Sequence, residues 1–241
     1  LSHAEHDEVV ARVVRAAAGR VPVVAGAGSN STAEALRLVR RAAETGADGL
    51  LIVCPYYNRP SQRMLHAHFS TLAAATSLPI VLYNVPGRTG VNMTPETVAR
   101  LHAEHDNVRA VKEAAGSVDQ VARIRNICDI AVLSGDDGLT VPMMAVGAAG
   151  VISVASNVLP AEVSASVQAA LRGDYAEAAR LHHRLLPLYT ALFVEPNPVP
   201  VKAALRMLGR GNGRVRPPLL EALPETEAQL RDALRRLGVL D

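Results

Sequence analysis

Val108-Arg109-Ala110-Val111-Lys112-Glu113, followed by Ala114-Ala115-Gly116-Ser117, is a short apolar run that ends in charge. Its β-branched residues and length predict a buried strand. Strict alternation would set Val108, Ala110 and Lys112 on one face and Arg109, Val111 and Glu113 on the other. An ammonium group at the end of a buried strand is unusual unless something uses or neutralises it. In an arbitrary strand such a lysine simply reaches out to solvent. Its neighbours in the chain decide between the two readings.

Outward from this stretch the chain alternates strand and helix. Upstream, Ser2–Ala18 predicts an amphipathic helix with Val9, Val10, Val13, Val14 and Ala17 on one face and a Ser2/Glu5 capping box. Val21–Gly26, Asp48–Val53 and Pro79–Tyr83 predict strands, with helices over Thr32–Glu44, Ser61–Thr76 and Pro95–His105. Downstream, helices around Ser117–Asn126 and Leu139–Val146 alternate with strands at Ile130–Ser134 and Gly150–Ser153. A repeat of roughly 25–30 residues is the mark of parallel strands joined by crossover helices.

An open doubly wound sheet would carry a glycine-rich phosphate turn after its first strand. Gly26-Ala27-Gly28-Ser29-Asn30 lacks the third glycine, and Asn30 or Ser31 reads as a helix cap. The pattern predicts an α/β protein, a (βα)8 TIM barrel whose N-terminal strands are missing from this chain, which opens at Leu1 without Met. Alternation stops after Ser153. Pro160–Arg172 would complete the outer ring. Tyr175–Phe193, Pro198–Leu208 and Pro224–Leu237 form a helical appendage. The expected division is residues 1–172 for the barrel and 173–241 for the C-terminal helices.

Composition agrees with this and removes several function classes. The 241 residues are 49% hydrophobic with no Trp, two Phe and five Tyr, so Ala, Val and Leu must fill the core. A net charge of +2 with no basic block gives no case for nucleic acid or an anionic membrane surface. Cys54 and Cys128 lack zinc spacing and predict reduced thiols in a cytoplasmic protein. No apolar run approaches the ~18 residues of a membrane span.

In a parallel barrel the chemistry collects at the C-terminal ends of the strands. There stand Pro55-Tyr56-Tyr57-Asn58-Arg59-Pro60, Tyr83-Asn84-Val85-Pro86-Gly87-Arg88-Thr89-Gly90, Lys112-Glu113, Ser134-Gly135-Asp136-Asp137 and Ile152-Ser153. A lysine beside a tyrosine suits imine chemistry. The amine must be neutral to attack a ketone, so a desolvated pocket has to lower its ordinary pKa of ~10.4. A phenol can carry protons, and an arginine can grip a carboxylate in two places. Asp136 and Asp137 read as a helix N-cap and a first-turn acid, and no metal site is expected. Lys202 reads as a surface or interface lysine, and His182-His183 has no partner histidine at metal spacing.

The Tyr83–Gly90 stretch and Val111-Lys112-Glu113-Ala114 resemble the two signatures of the dihydrodipicolinate synthase/N-acetylneuraminate lyase family. The resemblance runs from Leu1 to the C-terminal region, and Arg88 points away from the sialic acid lyases. It implies an imine between pyruvate and Lys112 with no other cofactor, Tyr83 as proton shuttle, and Arg88 holding a substrate carboxylate. Gly135 and Ile152 would line the pyruvate pocket through backbone atoms. Tyr57 would complete a relay in the neighbouring subunit, which implies a homo-oligomer, a tetramer built as a dimer of dimers. The family's relay also uses a threonine from a Gly-Thr-Thr-Gly-Glu loop that these residues do not contain.

The implied reaction joins pyruvate to L-aspartate 4-semialdehyde, giving 4-hydroxy-tetrahydrodipicolinate for lysine biosynthesis. The alternatives are a pyruvate-dependent aldolase acting on a sugar acid, and a non-catalytic paralogue that binds a keto acid or amino acid. Family members inhibited by lysine bind it at positions matching His3, His6, Gly28, Asn30, Glu34 and Tyr56, so lysine is an expected effector. Without the resemblance, those residues read as ordinary surface helix chemistry.

Overall fold

The computed structural model describes residues 1–241. Its strands are parallel where their register is defined and lie in chain order, β1-β2-β3-β4-β5-β6. The chain divides into two compact units, Leu1–Leu133 with Val146–Ala148, and Ser134–Ala145 with Ala149–Asp241.

The first unit opens with α1 (His3–Ala17), which has the expected capping box: Glu5 N–H donates to Ser2 Oγ at 3.2 Å and Ser2 N–H to Glu5 Oε2 at 2.7 Å. Only part of its apolar stripe is covered. Ala17 is buried where α1 packs against α2 (Thr32–Thr45), but Val9 and Val13 are 47% and 49% exposed. Between them lies β1 (Val24–Gly26). Strand β2 (Gly49–Val53), helix α3 (Gln62–Ala74) and strand β3 (Ile80–Asn84) follow. The short helix α4 (Pro86–Thr89) was not expected from the sequence; Pro86 starts it and Gly90, at φ 75°, ends it. Helix α5 (Pro95–Glu104), strand β4 (Val108–Glu113) and helix α6 (Val118–Ile127) come next, and β5 (Ala131–Ser134) runs to the edge of the unit. Leu50, Ile52, Leu65, Phe69, Ile80, Leu82, Val108 and Ile124 are among its buried apolar residues.

Strand β4 runs one residue past Lys112, which the sequence makes its last position, and it does not keep strict alternation. Pairing with β3 shifts between Ile80 and Val81, so Arg109 is left over in the register. An extra residue in one strand reverses the facing of what precedes it. Val108 is therefore matched with Ile80, on the face of Leu82 and Asn84, rather than on the face of Ala110 and Lys112.

The second unit holds α7 (Thr140–Ala145), β6 (Gly150–Val151), α8 (Pro160–Leu171), α9 (Tyr175–Ala191), α10 (Val199–Met207) and α11 (Pro224–Arg236). Its core is the cluster of Leu185, Leu188, Leu192, Ala204, Leu230 and Leu234. No helix is long and apolar enough to cross a membrane.

Candidate active site

Parallel pairing carries the ends of β2, β3 and β4 to one level: Cys54 N–H donates to Tyr83 O and Ala114 N–H to Asn84 O, both at 2.9 Å. Tyr83 and Lys112 are register partners on adjacent strands. Lys112 Nζ lies 4.2 Å from the centroid of the Tyr83 ring, a cation–π distance. Both side chains are half-buried. Burial holds the Tyr83 phenol above its ordinary value, against the pull of the Arg88 cation.

The loop after β3 carries Arg88 on α4 into an open cleft of about 940 Å³, shared with Tyr56, Tyr57, Arg59, Gly87 and Gly90. Tyr57 stands at φ 72°, in the left-handed region, with its N–H on Thr89 O at 3.2 Å. Its side chain is 89% exposed and projects to solvent. Arg59, also left-handed at φ 45°, lies over Gly90, where a Cβ would come within 2.9 Å of its Nε. Sequence reading gave Arg59 no role, since its fit depends on a glycine 31 positions away.

A second cavity of about 570 Å³ is lined by His3, Ser29, Asn30, Glu34, Arg37 and Tyr56, so Tyr56 belongs to both openings. His3 Nε2 lies 2.9 Å from Glu34 Oε1, and Arg37 lies 3.6 Å from the same oxygen. Arg37 was not anticipated, although it sits one turn after Glu34. Of the residues expected here, His6 and Gly28 do not line the cavity. His6 instead contacts Gly26 O through Nε2 at 3.1 Å. Gly28 is a close-approach glycine: a Cβ there would fall 2.6 Å from Val53 N.

Cys54, at the end of β2, is fully buried, and its thiol is pushed up to about 12 by burial and by the Glu113 charge. Glu113 is fully buried too, and accepts hydrogen bonds from Asn84, Gln120 and Ala115. Sequence reading set it beside Lys112 without a task.

In the second unit, Gly135 follows Ser134, whose carbonyl accepts from Ile152 N–H at 2.9 Å, so the backbone beyond β5 and β6 is drawn together. Asp136 caps the turn at Gly138 as expected. Asp137 is buried, and its Oδ2 accepts from Val154 and Ala155 N–H at 3.0 Å each, tying down the loop after Ile152.

The profile of the Dihydrodipicolinate synthetase family matches residues 1–237. The chain is 52% identical to the 4-hydroxy-tetrahydrodipicolinate synthase of Methanothrix thermoacetophila, over 100% of this chain and 81% of the relative. The dihydrodipicolinate synthase of Cyanidioschyzon merolae with lysine bound superposes with a TM-score of 0.97 at 45% identity, covering 100% of this chain and 82% of the other. The chloride-inhibited enzyme of Acinetobacter baumannii complexed with pyruvate does so with a TM-score of 0.97 at 40% identity, covering 100% and 83%. These likenesses fix the fold as the α/β barrel type.

Proposed function

The chain belongs to the dihydrodipicolinate synthetase family, and from that premise we propose how its residues divide the reaction. The activity is that of a 4-hydroxy-tetrahydrodipicolinate synthase, a lyase of lysine biosynthesis that joins pyruvate to L-aspartate 4-semialdehyde, as in relatives such as one 52% identical over the whole chain.

In this reading Lys112 attacks the ketone carbon of pyruvate, and the carbinolamine loses water to leave a protonated imine on Nζ. Tyr83 gives and takes the protons of that exchange; burial keeps its phenol protonated through the neutral range. Loss of a methyl proton makes an enamine, whose carbon attacks the aldehyde. The substrate amine then replaces Lys112 at the imine carbon, closing the ring and freeing the lysine. No further cofactor is required. In the same reading the guanidinium of Arg88, whose charge is felt at the Tyr83 phenol, holds the aldehyde's carboxylate. Gly135 and Ile152 offer backbone groups to pyruvate.

The observation that carries this reading is Lys112 Nζ 4.2 Å from the Tyr83 ring at the ends of paired strands. The exposed, left-handed Tyr57 supports a role in the site of a second copy, within a homotetramer. The His3–Glu34 cavity supports lysine as effector, as does the relative with lysine bound. We take residues 1–172 as the barrel portion and 173–241 as the C-terminal helical region, since strand–helix alternation ends with α8.

Borohydride added with pyruvate tests the assignment. A three-carbon adduct on Lys112, seen by peptide mass spectrometry, is expected. Its absence from the folded, full-length protein overturns the reading.

A further inference from the structure

Register continues from Tyr83–Lys112 to a second pair, Asn84–Glu113. Alternation turns these two side chains to the opposite face of the sheet, away from the reacting lysine. Both are fully buried. Asn84 Nδ2 donates to the two carboxylate oxygens at 3.2 and 3.1 Å, Gln120 Nε2 donates at 2.9 Å, and Ala115 N–H donates at 2.8 Å.

The sense of these bonds is not free to change. Met93 N–H donates to Asn84 Oδ1 at 2.9 Å, which leaves Asn84 Nδ2 for Glu113 and for Asn92 Oδ1 at 2.7 Å. Asn92 Nδ2 then meets Gln120 Oε1 at 2.8 Å, and this turns Gln120 Nε2 toward Glu113. A peptide N–H cannot be reversed, so it orients each amide in the ladder, and every group bonded to Glu113 is a donor. Burial raises the carboxyl above its ordinary value while these donors pull it back. A protonated acid needs an acceptor, and the ladder offers none. The anion is the form this site is built for.

We propose that Glu113 is a positioning residue for the imine chemistry: its carboxylate, fixed to Asn84 and to the first turn of α6, holds the ends of β3 and β4 so that Lys112 stays set against Tyr83. The proposal rests on Lys112 being the imine-forming residue. Glu113 acts through the two strand ends and touches no reacting atom.

Two variants of the full-length protein test it. Glu113→Gln keeps the shape but presents an N–H to donors. It should fold, keep its KM for pyruvate within about threefold and lose kcat by about tenfold to a hundredfold, the scale of a small misplacement of reacting groups. Gln120→Met removes the donor that ties the carboxylate to α6 and leaves Asn84 and Ala115 in place, so it should fold, lower kcat by about threefold or more and keep KM for pyruvate within about threefold. An unchanged kcat in either folded variant, or a loss of kcat matched by an equal rise in KM, overturns the proposal. If Glu113→Gln does not fold, Gln120→Met decides by the same thresholds. Borohydride trapping in the parent protein separates the premise: no adduct on Lys112 there removes the imine reading itself, whatever the variants do.

Discussion

Lys112 and Tyr83 meet across one rung of parallel sheet, with Nζ 4.2 Å from the ring centroid, so the lysine lies against the face of the ring. The ring and the hydroxyl are therefore separable. Tyr83→Phe keeps the packing and the cation–π contact and removes only the proton carrier. Stability should change by less than about 1 kcal/mol. Steady-state kcat should fall by about 10²- to 10⁴-fold, the usual worth of a placed acid–base group. Because burial raises the phenol's pKa, the parent enzyme's loss of activity on the alkaline side should lie no lower than the ordinary tyrosine value. An alkaline limb near pH 8 assigned to Tyr83 would contradict this.

Tyr57 gives a complementation test. Chains carrying Tyr57→Phe and chains carrying Lys112→Ala should each be weakly active alone. If Tyr57 serves a neighbouring copy, mixing them with subunit exchange creates sites with Lys112 from one chain and Tyr57 from the other, and activity rises. No rise after demonstrated exchange would sink the cross-subunit role. The φ of 72° adds a stability prediction. Tyr57→Gly should be more stable than Tyr57→Ala by about 1 kcal/mol in denaturant unfolding, because only glycine occupies that region without steric cost.

The cavity near Glu34 predicts separable regulation. Glu34→Gln removes the anion that would meet an ammonium, leaving kcat within about twofold while raising the lysine concentration for half-inhibition by about tenfold or more. Inhibition curves of parent and variant measure this directly, and superimposable curves would reject the site.

His68, on α3, is buried with its Nδ1 2.8 Å from Thr32 Oγ1 and its Nε2 without a protein partner. Burial pulls its pKa down from 6.5 to about 4. The unfolded chain therefore takes up this proton first as pH falls. Its contribution to stability is intact above pH 6.5 and is lost between 6.5 and about 4. The loss is on the order of 3 kcal/mol. Urea unfolding from pH 8 to 4 should show a smaller decline in His68→Gln than in the parent.

Much of the frame was legible in the chain. Ser2, Ser31 and Ser117 cap the helices that follow them, and strand β4 lies where its apolar pattern predicted, one residue longer than the end at Lys112. Local chemistry decides such features. What escaped depends on distant partners. The left-over Arg109 follows from how β3 meets β4, and α4 was hidden inside a stretch that Pro86 and Gly87 made read as loop. The Asn84–Asn92–Gln120–Glu113 ladder draws on four separate places in the chain. Its one local signal was an acid at the end of an apolar strand, on the face that should be dry. Gly28 belonged by motif to the lysine cavity, but its structural demand is the Val53 backbone against it.

The buried thiol at the end of β2 is shielded from chemistry on two counts. Cys54 N–H is bonded to the carbonyl of Tyr83, and alternation along β2 turns its side chain to the face of Asn84 and Glu113, away from Lys112. With its pKa pushed up to about 12, the sulfur is held as the unreactive thiol. Part of that suppression comes from the charge on Glu113. The carboxylate that braces the strand ends thus also keeps the neighbouring sulfur inert, so this face of the sheet resists oxidation and alkylation while the chemistry proceeds on the other.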